Sequence, residues 1–209
     1  KSNIIFGQHG GNYGISKFNT FQDHEINFST YYLSWGWKNN IKKVVQFGKY
    51  NEQNFKLKKF RNKKDILLVL GSCPKYFYII YSIFISSQFI TYLNMQSNFI
   101  SLLNKKNNIF KNLKVRLYHK SNHQWNEKNY LSKRFNNLKF DNNKTISNSL
   151  KSCRLFISTY NATTYLESLY YNIPTVIFWD PKFWELDNKG KKYFEALKRN
   201  NIFFDCEKK

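Results

Sequence analysis

Short apolar runs alternating with stretches of helical spacing organise this chain, most plainly between residues 154 and 180. Residues 155–158 form an apolar run that ends in hydroxyl and amide side chains, as a strand does where it feeds a helix. Asn161 is the expected N-cap, and Tyr165, Leu166, Leu169 and Tyr170 follow at helical spacing. Asn172 suits a left-handed cap, after which Pro174 forbids further helix. Residues 175–179 make a second run without polar alternation, the signature of a strand buried on both faces. The whole reads as a parallel βαβ unit.

The same grammar extends in both directions. Residues 4–6 predict a short strand, followed by a loop holding Gly7, Gly10, Gly11 and Gly14. Asp23, His24 and Glu25 fall in a polar segment without a periodic signal. Residues 31–37 predict a strand ending in Trp35-Gly36-Trp37, whose rings suit either a core or a sugar platform. Residues 43–47 form another strand, and the charged, poorly periodic segment 49–64 reads as a linker. Residues 65–76 restart the pattern with a buried strand and a Gly, Ser and Pro turn. From Tyr76 to Asn104 there is no charged residue, but Ser, Thr, Asn and Gln interrupt the run. Its stripe (Ile79, Ile80, Ile83, Phe84, Ser87, Ile90) predicts a buried or amphipathic helix in preference to a membrane span. A strand opens at residue 113, helices are expected at 129–135 and 145–153, and a helix at 191–199 precedes a last strand at 202–204. This alternation is that of a doubly wound α/β sheet.

Composition refines the picture. At 209 residues, with 42% hydrophobic and 19% aromatic content, the chain has material for a packed core despite a formal net charge of +21. That charge invites a nucleic-acid partner, but the lysines are scattered in pairs. Arginine, the better bidentate phosphate reader, occurs only at 61, 116, 134, 154 and 199. Abundant Lys, Asn, Ile, Phe and Tyr share A/T-rich codons, which accounts for much of the excess. An anionic lipid surface or an acidic acceptor remains compatible. Cys73, Cys153 and Cys206 lack CxxC spacing and predict reduced core thiols of a cytosolic protein. The chain opens on Lys1 with dense motif-like sequence, as expected of a piece of a longer protein.

Candidate chemistry gathers at strand ends. A histidine raised on a glycine loop, His9 beside Gln8, Gly10 and Gly11, is a candidate base, or alternatively a cap of its own turn. Thr163 and Thr164 lie in the first turn of the predicted helix, where backbone N–H groups and the helix N-terminus favour a phosphate. Glu167 shares their face and either reaches a ribose hydroxyl or is simply solvated. Arg116, with His119, Lys120 and His123 after it, forms a cationic loop suited to an anionic leaving group. No Asp-x-Asp pair occurs, Glu185-Leu186-Asp187 being the nearest to one. Neither a catalytic metal nor a resident cofactor is therefore expected.

Two separated motifs carry a resemblance. GQHGG with a strand ending in WGW, and later LFIS, a hydroxyl-rich turn, TTYLE and NIPT, resemble transferases of bacterial surface-carbohydrate loci. More distantly they are similar to the CDP-glycerol glycerophosphotransferases that polymerise teichoic acids. Both groups look like the two-Rossmann glycosyltransferase B architecture, and the similarity spans nearly the whole chain. It implies that residues 1–50 end an acceptor-side domain, 51–64 link, and 65–209 bind the donor nucleotide. By this resemblance His9 deprotonates the acceptor hydroxyl, with Gln8, Gly10 and Gly11 as the acceptor-side loop. His119 matches the histidine after the middle strand, with Lys120 where the family has proline. Ser158, Thr159, Thr163 and Thr164 fall where the hydroxyl-rich turn meets the donor phosphates, and Glu167 where an acidic residue meets the ribose. The activity implied is metal-independent transfer of a sugar or glycerophosphate from a nucleotide-activated donor to a carbohydrate or lipid-linked acceptor. Its place would be the bacterial cytoplasm, at the inner face of the membrane, with closure about 49–64. A nucleotide-sugar 2-epimerase of the same architecture, a basic RNA-binding protein and a lipid-surface scaffold are the rivals.

Overall fold

A computed structural model describes residues 2–48, 63–78, 80–118 and 125–207. The linker expected at 51–64 lies mostly outside these residues, as do His119, Lys120 and His123. The first 48 residues build a small parallel sheet of β1 (Ile5–Gly7), β2 (Tyr31–Ser34) and β3 (Val44–Gln46), in that order. Helix α1 (Thr20–Phe28) connects β1 to β2. The polar segment at 23–25 is thus the middle of a helix, which few apolar positions announce. Its start is set by Asn19, whose side chain accepts from the Gln22 amide at 3.1 Å. Its hold on the sheet comes from Ile26, buried with Tyr32 and Val44.

The remainder forms a six-stranded, all-parallel sheet. Its strands are β4 (Asp65–Val69), β5 (Leu113–Arg116), β6 (Lys139–Phe140), β7 (Cys153–Ser158), β8 (Thr175–Phe178) and β9 (Phe203–Phe204). Helices α2 (Gln88–Asn104), α3 (Asn107–Phe110), α4 (Glu127–Arg134), α5 (Ile146–Leu150), α6 (Thr163–Tyr170) and α7 (Asn188–Arg199) connect them. The spatial order is β6-β5-β4-β7-β8-β9. Counted within this sheet, that is the 3-2-1-4-5-6 order of doubly wound Rossmann folds, with its reversal between β4 and β7. Both central strands are continuous apolar runs because both faces are covered: Ile66 to Val69 and Phe156 to Ser158 are all buried. Trp179 anchors one side of the core among Tyr165, Trp184, Phe194 and Phe203. Asn172 takes the left-handed conformation expected of it, at φ 51°. Cys73 and Cys153 are buried free thiols that burial pushes up to about 12. Among the described residues no helix is long and apolar enough to cross a membrane.

Two expectations need correction. Of the expected stripe, the positions from Ile80 to Ser87 are not helical. Ser86, at φ 43°, breaks the chain there, and α2 starts only at Gln88. Residues before it are drawn instead into pairing with the small sheet's connection. Asn19 bridges Tyr81 antiparallel, the Ser82 amide donates to Phe18 O at 3.0 Å, and the Phe18 amide donates to Ser82 Oγ at 3.1 Å. On its other side the same connection bridges Ser16 to Leu186, with the Lys17 amide on Glu185 O and the Asp187 amide on Ile15 O. Residues 15–19 are therefore a strap stitched on both edges to the large unit. The second correction concerns the cap of α6. It is Ala162, without a side-chain cap bond, and Asn161 instead accepts from the Tyr165 hydroxyl at 3.1 Å.

Candidate functional site

The strap brings the carboxyl end of β1 against the carboxyl ends of β4 and β7. Gly11 makes the closest approach. Its amide donates to Thr163 Oγ1 at 3.1 Å. A Cβ on Gly11 would lie 2.6 Å from the Ala162 carbonyl carbon and 2.7 Å from the Thr163 nitrogen. Only glycine lets the loop sit on the opening of α6. Replacement by Ala must move backbone against backbone, so Gly11→Ala is expected to cost about 1–3 kcal/mol, measurable by urea denaturation.

A crevice of about 290 Å³ opens beside this contact. His9, Gly10, Gly11 and Tyr13 line one wall, Tyr160, Asn161, Ala162 and Thr163 the other, with Ser72 and Tyr118 also lining it. The glycine-flanked imidazole and the threonine-rich helix opening thus share one cavity. It sits at the strand-order reversal, where ligands of open α/β sheets bind. The first backbone N–H groups of α6 have no intrahelical acceptor and gain none from a side-chain cap. Asn161 lines the same wall, 5% exposed, and its amide nitrogen has no partner among the described residues. An anionic group is the natural complement to such donors.

His9 is held at both ring nitrogens although its side chain is 68% exposed. Nδ1 lies 3.2 Å from Glu25 Oε1, and Nε2 lies 3.2 Å from the Tyr13 hydroxyl. The Tyr13 hydroxyl also lies 3.2 Å from Glu25 Oε1 and has a single proton to give, to that oxygen or to Nε2. Glu25 reaches inward from α1 and is 9% exposed, and its Oε2 has no partner among the described residues. Burial raises its carboxyl above the usual range, against the opposing pull of His9, Tyr13 and His24. Burial, reinforced by the Glu25 charge, pushes the Tyr13 phenol up as well. A carboxylate on Nδ1 holds the tautomer that leaves Nε2 with its lone pair. Sequence reading missed Glu25 and Tyr13. The spacing of Tyr13 four residues after His9 was visible, but Glu25 had no signal until its segment was known to be a helix.

The other expected site residues are placed as follows. Gln8 is buried below the loop, its Oε1 accepting from the Trp35 amide at 2.8 Å and the Trp37 indole at 2.7 Å, its Nε2 donating to Gly10 O at 2.7 Å. Trp37 is accordingly a core ring, backed by Tyr32. Ser158 and Thr159 are fully buried, their hydroxyls donating to Tyr160 O and Val69 O. They brace the wall from behind. Thr164 donates to the Tyr160 hydroxyl at 3.4 Å. Glu167, one turn into α6, does not line the crevice. Arg116 faces a separate cavity with Tyr118, Lys128 and Lys144, its guanidinium bound to Asp141 at 2.6 Å.

A family model for the LIC12162 family transferases matches residues 1–209. No curated protein and no solved structure matches the chain.

Proposed function

The chain belongs to the LIC12162 family of transferases, and from that premise we propose that it moves a sugar or glycerophosphate from a nucleotide-activated donor to a hydroxyl of a cell-surface carbohydrate acceptor. The observation that carries the reading is the single crevice in which His9 faces the opening of α6. The acceptor hydroxyl takes the place of Tyr13 at Nε2 and gives its proton to that nitrogen. Its oxygen then bonds to the anomeric carbon, or to phosphorus in the glycerophosphate variant. The bond to the nucleotide's phosphate oxygen breaks, and the electron pair leaves with the nucleotide. Glu25 balances the imidazolium through Nδ1–H. The departing charge is met by the first-turn amides of α6, Thr163 and Thr164, with His119 and Lys120 assigned to the same task. Arg116 is committed to Asp141 and is left out of that set. Glu167, expected at the ribose, lies outside the crevice lining and is left out as well. No metal is invoked, the sequence having no Asp-x-Asp pair. On this reading the crevice serves as a glycosyltransferase B cleft, with the small sheet on the acceptor side.

Thermal melts with CMP, CDP, UDP, GDP and dTDP test this. One nucleotide is expected to stabilise the protein, and less so after Thr163→Val. Indifference to every nucleotide would remove the donor site.

Glu25 supplies a second test. Its carboxyl is raised in the folded protein, so its ionisation opposes folding as pH climbs from the unfolded value through the folded one. Glu25→Gln is therefore expected to melt higher at neutral pH, with the gain vanishing on acidification, while transfer slows. A structural carboxylate would show the opposite: lower stability and unchanged turnover.

A further inference from the structure

Beside the crevice lies a second, larger groove of about 570 Å³, lined by Phe18, Tyr78, Ile80, Ile83, Ile85 and Phe183 among others. Its rim is unusually apolar for a surface. Tyr76, Tyr78 and Ile80 are 75%, 81% and 74% exposed, and Phe18, Phe21 and Ile85 are each more than two-fifths exposed. Ile80 and Tyr81 are anchored by the Tyr81–Asn19 bridge and by the Thr20 hydroxyl, which donates to Ile80 O at 2.9 Å. The Ile80 side chain is therefore held in place while exposed.

Charge surrounds them. Lys17, Lys75 and Lys182 stand over the rings of Phe18, Tyr76 and Phe183 at 5.0, 5.9 and 5.1 Å. Two carboxylates beside the rim pair with two of these lysines, Glu185 with Lys17 at 3.2 Å and Asp180 with Lys182 at 2.8 Å, so the five groups together carry one net positive charge, at Lys75. What faces outward is a band of Tyr, Ile and Phe with lysines interspersed, on a chain of net charge +21. Amphipathic rings with lysines at their edge suit the headgroup layer of an anionic bilayer. RNA fits less well, because isoleucines offer a base no stacking face.

We propose that the surface formed by Tyr76, Tyr78, Ile80 and Ile85 with Phe18 and Phe21 is a docking surface for an anionic lipid bilayer. Tyr81 and Ile83 line both this groove and the crevice. Docking would therefore set the crevice mouth at the membrane plane, within reach of an acceptor carried on lipid. The patch stands independently of His9 and of the nucleotide reading.

Flotation of the protein with phosphatidylcholine vesicles, with and without phosphatidylglycerol, tests the proposal. Flotation is expected only with the anionic lipid. The double variant Tyr78→Ser/Ile80→Ser is expected to weaken it at least about tenfold, and Lys75→Glu to weaken it further. Both substituted side chains are solvent-facing, so melting temperature should hold, and Phe28→Ser on α1 should float like the native chain. The proposal is overturned if the double variant floats undiminished, if Phe28→Ser is equally impaired, or if the native chain ignores anionic vesicles, whether or not it binds RNA. Nucleotide-induced thermal shifts should be the same in the double variant, which keeps a failure here distinct from a failure of the donor site.

Discussion

His9→Ala is expected to slow transfer by about 10²–10⁴-fold while nucleotide binding and melting temperature stay close to native. The imidazole is mostly exposed, and it sits at the edge of the Tyr13–Glu25 contact and does not support it from below. Its removal costs little packing but deletes the only nitrogen lone pair that the crevice wall offers to an acceptor hydroxyl among the described residues. Single-turnover rates with the nucleotide found by thermal shift, beside equilibrium binding of that nucleotide, separate the two effects. A variant that keeps its rate disposes of the base. One that keeps its rate but unfolds early returns His9 to the role of a turn cap.

The largest loss of stability is expected far from that chemistry, at Asp141→Ala. Its carboxylate is joined by Arg116 and Ser149 and by both the amide and side chain of Asn143. The Arg116 and Asp141 side chains are 16% and 2% exposed. Deleting one member leaves the other's charge buried without its partner, which costs about 3–5 kcal/mol. Burial alone would raise this carboxyl, but the hydrogen bonds from Ser149, Arg116 and Asn143 outweigh it and hold it below the usual range. The contribution is then complete above the unfolded value, near 4, and drains away as pH falls through the folded one. Denaturation curves from neutral to acid pH should show native stability falling in that window and the variant's falling less. Equal slopes would mean the carboxylate is not held down.

How much of this was legible depended on whether a feature was local. The central βαβ unit is legible because β7 from Leu155 onward and β8 run through the sheet interior and so appear as apolar runs, and because Asn172 and Pro174 mark the turn without outside help. Helix α1 was not legible. Its sequence is polar on average, and it owes its existence to the Asn19 cap and to Ile26 meeting the sheet. Residues 79–90 misled for the converse reason. They carry helical spacing, yet backbone pairing with a segment some sixty residues earlier takes precedence. The candidate site divides the same way. His9 and Thr163 both follow parallel strands, so strand ends alone put them on one side of their sheets. That they share a crevice follows from the strap, which no spacing rule reveals. Arg116 looked like an available cation because Asp141, its partner, comes from the next strand's end and is matched to it only by topology.

The strap has a further consequence. Because residues 15–19 are registered to one segment at Ser16 and to another at Asn19, the distance along the chain from Gly11 to Asn19 works as a ruler that sets where the imidazole stands over α6. One residue more or fewer there would misalign both hems at once. Variation in length should be absorbed elsewhere in the polypeptide, and hardly at all between those two positions.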